Sequence, residues 1–132
     1  MKKCKKIVGT LVATFFLLSS TSLIAHAATY YDYETTVPAV ADYESKPKKK
    51  KTTGSAYNKV GSIQKNRTLV SWIENTKGKN ITSKNTYSSK GKKTMDYKGN
   101  ASKYKGKKVR LNISTSTTTM KRATTSGEWT PN

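Results

Sequence analysis

The sequence predicts a mainly β protein, a small antiparallel β-sandwich of about six strands. Residues 55–132 consist of short runs rich in β-branched and aromatic residues, separated by Gly, Asn and Lys positions that suit turns. Within residues 109–114, apolar and polar side chains alternate strictly, as in a strand with one buried face. No helical apolar period occurs in this part of the sequence. Several short strands without helices are typical of a small antiparallel sandwich or barrel, and two aromatic residues described below favour the sandwich.

The strands are predicted one after another along this part of the chain. The strongest lies at residues 68–74, where β-branched and aromatic residues are most concentrated. Gly78, Gly91 and Gly99 fall in the turns between strands, where glycine tolerates positive φ. The six predicted strands are residues 56–63, 68–74, 81–88, 94–97, 109–114 and 120–125.

Two aromatic residues make an immunoglobulin-like arrangement one option. Trp72 lies on an early strand, as a core tryptophan would, and Tyr104 precedes the alternating strand, as a tyrosine corner would. Residues 69–73 do not alternate cleanly, so either Leu69 and Ile73 point outward or another segment covers the second face. The predicted core comprises Val60, Ile63, Leu69, Val70, Trp72, Ile73, Ile81, Tyr87, Met95, Tyr97, Tyr104, Val109, Leu111, Ile113, Met120 and Trp129.

Charge is distributed unevenly along the chain, which has a formal net charge of +19 at pH 7. Residues 28–45 carry four acids and no base, whereas residues 46–132 carry 22 Lys and Arg against three acids. Only Arg67, Arg110 and Arg122 are arginines, the residue suited to bidentate recognition. We therefore expect the basic part to attract polyanions diffusely through its lysines.

The first 27 residues have the three parts of a cleaved secretory signal. Lysines around Cys4 form a positive n-region, an apolar stretch follows, and Ala25-His26-Ala27 supplies the small-x-small cleavage pattern. Ser and Thr interrupt the apolar stretch, which favours cleavage over the alternative of a membrane anchor. Cleavage would remove the only Cys and the only His. The predicted location is secreted or extracellular, with retention on the cell wall as an option.

These features divide the chain into three predicted segments. Residues 1–27 are the helical signal peptide, residues 28–54 an acidic, tyrosine-rich arm with a lysine-rich linker, and residues 55–132 the basic β-sandwich domain. Lysines around Pro47 repel one another and stay hydrated, so the linker is expected to be disordered. The arm offers aromatic rings and negative charge, which makes it the candidate to cover the second face of residues 69–73.

The residue types after position 27 argue against most enzymatic chemistry. Without His or Cys, serine–histidine triads, cysteine nucleophiles and the usual zinc sites are absent. Glu74, Asp96 and Glu128 are expected to be surface partners of lysines rather than a glycosidase pair. No glycine-rich phosphate loop occurs. We predict that the protein is not an enzyme and has no catalytic residue, metal site or cofactor.

The candidate binding residues are lysines of the linker and of the turns. Gly78, Gly91 and Gly106 each stand beside lysines, which would form a positive rim at the loop tips. The predicted partner is an anionic cell-wall polymer or membrane surface, with nucleic acid bound only non-specifically. The predicted polyanion-binding residues are Lys48, Lys49, Lys50, Lys51, Lys77, Lys79, Lys90, Lys92, Lys93, Lys105, Lys107 and Lys108.

The layout of the chain resembles small exported β-domain proteins of Bacillus-like, Gram-positive bacteria. The resemblance rests on the lysine-rich signal ending Ala25-His26-Ala27, a polar linker, one Lys/Asn/Thr-rich β domain and the ending Ser126-Gly127-Glu128-Trp129-Thr130-Pro131-Asn132. It implies export and a β fold, and it assigns no functional residue.

Three functions remain open at this point. The first is a secreted, cationic, bacteriocin-like antimicrobial that binds anionic envelope polymers or lipids. In this reading the acidic arm shields the domain until export, and residues 48–51 are a processing site. The alternative is a non-toxic structural or adhesive module of the cell surface or matrix. The third is an inhibitor or immunity-type binding module.

Overall fold

The structure, a computed structural model, describes residues 28–117 and 120–132, and the predicted signal peptide at residues 1–27 lies outside this part. The described chain contains nine β-strands in two antiparallel sheets and one 3-10 helix. These elements confirm the predicted β-sandwich. Their bounds are β1 (Tyr31–Val37), β2 (Tyr43–Glu44), β3 (Lys48–Lys49), β4 (Ala56–Ile63), β5 (Leu69–Asn75), β6 (Asn85–Tyr87), β7 (Gly91–Met95), η1 (Ala101–Tyr104), β8 (Lys108–Thr115) and β9 (Ala123–Thr130).

The first sheet has the spatial order β1-β9-β4-β7. β9 pairs with β1 on one side and with β4 on the other, where the register shifts between Val60 and Ser62. Gly127 lies opposite this shift, and a Cβ there would clash with the carbonyl oxygen of Lys59. In immunoglobulin domains the last strand joins the sheet of strands C and F. Here β9 lies between β1 and β4, so the order differs from the immunoglobulin one.

The second sheet is centred on β8, which pairs with β5 on one side and with β2 and β3 on the other. β6 extends the sheet beyond β5. β5 and β8 are antiparallel, with Leu69 opposite Thr115 and Asn75 opposite Val109. The two ends of β5 therefore define two ends of the sandwich, each with its own set of loops.

Residues 28–54 are part of the sandwich, so the predicted boundary at residue 55 and the disordered linker are wrong. β1 pairs with β9 along its whole length, and β2 and β3 both pair with β8. Within β1, Tyr33 and Val37 are buried while Asp32 and Glu34 are exposed. This alternation is a strand signal that the prediction of an arm did not take into account.

The core between the sheets differs from the predicted one in a few places. Leu69 and Ile73 are fully buried and belong to the core cluster, so the neighbouring Trp72 faces away from it. Trp72 is buried on the outer face of β5, where its Nε1 donates to Glu74 Oε1 at 3.0 Å. The ammonium of Lys84 lies 4.4 Å from the Trp72 ring centroid. The outer face of β5 is thus covered by neighbouring side chains. The arm, which was the predicted cover, instead adds strands to the sheets.

The position of the last strand explains a second difference. The strand predicted at residues 120–125 begins at Ala123 instead and continues to Thr130. Met120 precedes it with a φ of 37° and is 56% exposed, so its prediction as a core residue is wrong. Trp129 lies inside β9 and is buried in the core as predicted.

A hydrogen-bonded chain of polar groups crosses the core. The hydroxyl of Tyr33 donates to Asn58 Oδ1 at 2.7 Å, and Asn58 Nδ2 donates to the Tyr87 hydroxyl at 3.3 Å. Burial raises the pKa of both tyrosines above its ordinary value. These hydrogen bonds join β1, β4 and β6. The arm is therefore held to the core by hydrogen bonds as well as by packing.

Candidate polyanion-binding site

Three lysine-rich segments meet at the end of the sandwich where β5 finishes at Asn75. Asn75 lies opposite Val109, which places the turn at residues 77–79 beside residues 105–108. β3 lies alongside, with Lys48 opposite Val109. We call this end the basic pole. It is defined by ten exposed or half-buried lysines, Lys48, Lys49, Lys51, Lys77, Lys79, Lys98, Lys103, Lys105, Lys107 and Lys108.

Two open grooves at the basic pole lie on either side of Tyr104, and both are also lined by Asn75. None of the lining residues of these two described grooves carries a carboxylate. Each groove therefore presents ammonium groups without a neutralising partner in its wall. The lining lysines are Lys79, Lys98 and Lys103 in one groove, and Lys77, Lys107 and Lys108 in the other.

Asn75 builds the turn that carries Lys77 and Lys79. Its Oδ1 accepts hydrogen bonds from the backbone N–H groups of Lys77 at 3.0 Å and Lys79 at 2.9 Å. Gly78, at the tip, has a φ of 82°, a backbone angle that a residue with a Cβ adopts only at a cost in free energy. An Asn, two lysines and a Gly thus encode a fixed turn that holds both ammonium groups outward.

The segment between β7 and β8 carries Tyr104 and is held in a similar way. Asn100 caps η1, with its Oδ1 accepting from the N–H of Ser102 at 3.0 Å. The Tyr104 ring stacks on Tyr97, with ring centroids 5.3 Å apart. Its hydroxyl lies 3.5 Å from the carbonyl oxygen of Lys98, the backward contact expected of a tyrosine corner. The Tyr104 ring, which separates the two grooves, is therefore held in place by its contacts with Tyr97 and Lys98.

Lys50 does not belong to the exposed set, so its prediction as a surface binding residue is wrong. Its side chain is fully buried, and its Nζ donates to the carbonyl oxygens of Gly54, Pro131 and Asn132. The ammonium also lies 4.3 Å from the ring centroid of Tyr97. Burial lowers the pKa of Lys50 from 10.5 to about 8.

The contacts of Lys50 tie together the segments that form the pole. Its backbone N–H donates to Lys107 O at 3.0 Å, and its carbonyl accepts from the N–H of Gly106 at 2.7 Å. Tyr97, under the ammonium, donates its hydroxyl to Pro131 O at 2.9 Å. One buried lysine thus connects the segment that was predicted to be a linker, the loop before β8 and the residues that follow β9. The exposed lysines on either side of it are positioned by this anchor.

The remaining predicted residues lie away from the basic pole. Tyr87 pairs with Leu69, so the following turn with Lys90 is at the opposite end of β5 from Asn75. The ammonium of Lys92 lies 3.9 Å from the Tyr57 ring centroid, and that of Lys93 lies 5.9 Å from the Tyr87 ring centroid. The structure therefore brings together eight of the twelve predicted lysines and leaves Lys90, Lys92 and Lys93 elsewhere.

Most acidic side chains lie on the outer faces of the sheets. On the first sheet Asp32 is directly opposite Glu128, and Glu128 pairs with Lys59 at 4.0 Å. On the second sheet Arg110 lies between two carboxylates, at 3.4 Å from Glu44 and 3.5 Å from Glu74. These acids therefore lie outside the walls of the two grooves at the basic pole.

Sequence reasoning missed three residues that shape the grooves. Lys98 and Lys103 line one groove, and Tyr104 separates the two. The Lys98-Gly99-Asn100 turn was visible in the sequence, but only the fold shows that it lies beside the turn at residues 77–79. Tyr104 was recognised as a structural tyrosine, and its second role follows from the half-exposed ring.

No family model, curated protein or solved structure matches this chain. Within residues 28–117 and 120–132, no helix is long and apolar enough to span a bilayer. In the same residues no group of three or more His, Cys, Asp and Glu side chains is arranged to hold a metal ion.

Proposed function

We propose that this protein is a polyanion-binding module that docks through the basic pole onto an anionic polymer of the cell envelope. The observation that carries the proposal is the pair of lysine-lined grooves around Tyr104, neither of which contains a carboxylate. Lysines in a concave wall that no carboxylate lines attract negative charge strongly, because several ammonium groups act on one ligand. Export, which the first 27 residues suggest, would place the protein where such polymers are found.

The arrangement favours a polymer over a single small anion. The ten lysines of the pole come from three separate segments and surround a whole end of the sandwich. The grooves are open and shared across Tyr104, so a chain with repeated negative groups could contact both at once. Lysine is a strongly hydrated point charge and suits such diffuse attraction.

The place of the arm in the fold favours a non-toxic surface or matrix module. β1 supplies Tyr33 and Val37 to the core, β2 and β3 pair with β8, and the buried Lys50 follows β3 directly. An arm removed by processing at residues 48–51 would take these strands with it. The arm therefore serves as a permanent part of the domain in this proposal rather than as a removable shield.

Binding of long-chain polyphosphate, measured against NaCl concentration, tests the proposal. We expect the logarithm of the association constant to fall linearly with the logarithm of salt, because binding releases counterions from several phosphates. Inorganic phosphate should compete poorly, since it reaches only one or two lysines. Polyphosphate binding that is undetectable at low salt, or insensitive to salt, would contradict the proposal.

A second candidate, antimicrobial action on anionic membranes, is favoured by one observation at the opposite end. Val40 is 85% exposed and Met120 is 56% exposed, both lie in loops, and Lys121 and Arg122 follow Met120 in the chain. The hydroxyl of Thr115 donates to Ala39 O at 3.1 Å, which brings the two loops together. Apolar tips flanked by Lys121 and Arg122 suit an anionic bilayer.

Dye release from phosphatidylglycerol vesicles tests this second candidate. A membrane-active protein would release dye, and the double variant Val40→Asp, Met120→Asp would lose that activity while keeping polyphosphate affinity. If the wild-type protein releases no dye, membrane activity is excluded and the non-toxic surface or matrix module remains.

A further inference from the structure

A third groove lies on the open side of the sandwich, away from Tyr104. It runs between the beginning of β1 and the segment that joins β2 to β3. Its walls contain more aromatic rings than either groove of the basic pole. We call it the tyrosine groove and define it by Tyr30, Tyr31, Asp32, Tyr43, Ser45 and Trp129.

The rings of the tyrosine groove are held by packing. Tyr31 packs on the buried Trp129 with ring centroids 5.9 Å apart, and Tyr43 packs on the buried Tyr33 at 6.2 Å. Tyr31 and Tyr43 are themselves half-buried, so each leaves part of its surface open to the groove. The site is therefore preformed, as most small-molecule sites are.

The rim of the tyrosine groove carries both signs of charge. Asp32 is exposed on one side, and Lys46 and Lys48 line the other. The ammonium of Lys48 lies 4.7 Å from the ring centroid of Tyr31, so Lys48 makes a cation–π contact with this ring. A rim of this kind does not select a polyanion, but it offers donors and acceptors to a neutral polar ligand.

The free edge of β1 adds unpaired peptide groups to the same side. β1 is the outermost strand of the first sheet and pairs only with β9 among the described strands. The N–H and C=O groups on its other edge are available to a ligand. The groove reaches only the Tyr30–Asp32 end of this edge, so it offers a short site rather than a seven-residue template.

We propose that the tyrosine groove binds a neutral saccharide. Sugar rings have apolar C–H faces that pack on aromatic rings and a periphery of hydroxyls that needs mixed donors and acceptors. Tyr31 and Tyr43 supply the rings, and Asp32, Ser45 and Lys46 supply the polar groups. An extended peptide would need a groove that follows the free edge of β1, and this groove reaches only its Tyr30–Asp32 end.

The inference does not depend on polyanion binding by the basic pole. The two sites meet only at Lys48, and the tyrosine groove contributes no further lysine of the pole. High salt suppresses contacts of the pole with anions but leaves ring stacking and hydroxyl contacts largely intact. The two proposals can therefore fail separately.

An array of neutral oligosaccharides, probed at 0.5 M NaCl and followed by calorimetry on the best binder, tests the proposal. We expect Tyr31→Ala and Tyr43→Ala to lower the affinity at least tenfold, while Tyr31→Phe keeps it within threefold because the ring remains. Tyr57→Ala is the matched control, since Tyr57 is a half-buried tyrosine on the outer face of the first sheet.

A milder variant guards against loss of fold in the alanine variants. Asp32→Ala changes an exposed side chain, so its melting temperature should match the wild type while its saccharide affinity falls at least threefold. The proposal is overturned if the folded wild type binds no neutral saccharide on the array. It is also overturned if Tyr57→Ala costs as much affinity as Tyr31→Ala, or if only extended peptides bind.

Discussion

The two ends of the sandwich use similar residues in different ways. At the basic pole, asparagine-built turns hold lysines outward, and no carboxylate lines the grooves between them. At the far end, which comprises the described loops 38–42, 64–68, 88–90, 116–117 and 120–122, two basic side chains donate to backbone carbonyls of other residues. Arg67 Nε donates to Arg122 O at 2.9 Å, and Lys93 Nζ donates to Lys90 O at 3.4 Å. We propose that the charges of the basic pole form a binding site because the fold groups them around grooves that no carboxylate lines.

The largest effect is expected from the core on which both ends depend. Leu111 is fully buried between the sheets, so Leu111→Ala should lower the free energy of unfolding by about 2–5 kcal/mol. Chemical denaturation measures it, with Met120→Ala at the far end as a control expected to stay within about 0.5 kcal/mol. Equal costs for the two variants would mean that the inward face of β8 is assigned wrongly.

A smaller effect, confined to the basic pole, is expected from Lys50→Met. This variant leaves three backbone carbonyls without their buried donor, which should cost about 1–3 kcal/mol. Hydrogen exchange should quicken in residues 97–108 and 130–132 and stay unchanged at the far end. Lys51→Met removes the same charge from an exposed neighbour and serves as the control. Uniformly faster exchange in both ends would show that Lys50 is not a local anchor.

The pH dependence of stability should carry the signature of Lys50. Its folded pKa of about 8 lies below the ordinary 10.5, so the native state binds fewer protons than the unfolded state between these values. The free energy of unfolding should therefore rise as pH increases from about 8 toward 10. Above pH 10 it should fall, because burial raises the pKa of Tyr33, Tyr87 and Tyr97 and these tyrosines then ionise in the unfolded chain first. Thermal unfolding at a series of pH values measures both limbs, and Lys50→Met should lack the rise. A rise that persists in Lys50→Met would assign it to another group.

The smallest effect is expected from Asn75→Ala, which loosens one turn of the pole. The backbone N–H groups of Lys77 and Lys79 lose their acceptor, at a cost of about 1 kcal/mol. Polyphosphate affinity should fall only about twofold to threefold, since the lysines remain. Isothermal calorimetry and denaturation measure the two quantities. A full loss of binding would point to a direct role of the Asn75 amide in the grooves.

The sequence was sufficient for the fold class and for the existence of six strands from residue 56 onward, but the strands predicted at residues 94–97 and 120–125 have other bounds in the structure. The alternation in residues 109–114 and the β-branched run at residues 68–74 are local signals that pairing later confirmed. β1 was missed, although Tyr33 and Val37 alternate with exposed acids in the same way. Its partner is β9, at the other end of the chain, and such a long-range pairing leaves no trace in local composition.

The candidate site was predicted only in part for the same reason. The lysines beside turn glycines were identifiable, but their sharing of one end depends on the pairing of β5 with β8 and of β3 with β8. Lys50 is one of four consecutive lysines, and nothing in that run distinguishes the one whose ammonium is buried. The carbonyl of Gly54, four residues further on, and those of Pro131 and Asn132, 81 and 82 residues further on, make the difference.

Matched charge reversals at the two ends test whether position in the fold, rather than net charge, creates the polyanion site. The triple variant Lys77→Glu, Lys79→Glu, Lys107→Glu at the basic pole is compared with Lys65→Glu, Lys90→Glu, Lys121→Glu at the far end. All six side chains are exposed and both variants lose the same charge, so their stabilities should stay similar. With long-chain polyphosphate at about 0.1 M NaCl, we expect the pole variant to lose affinity at least tenfold more than the far-end variant. Equal losses in the two variants would contradict the account, because net charge alone would then explain binding.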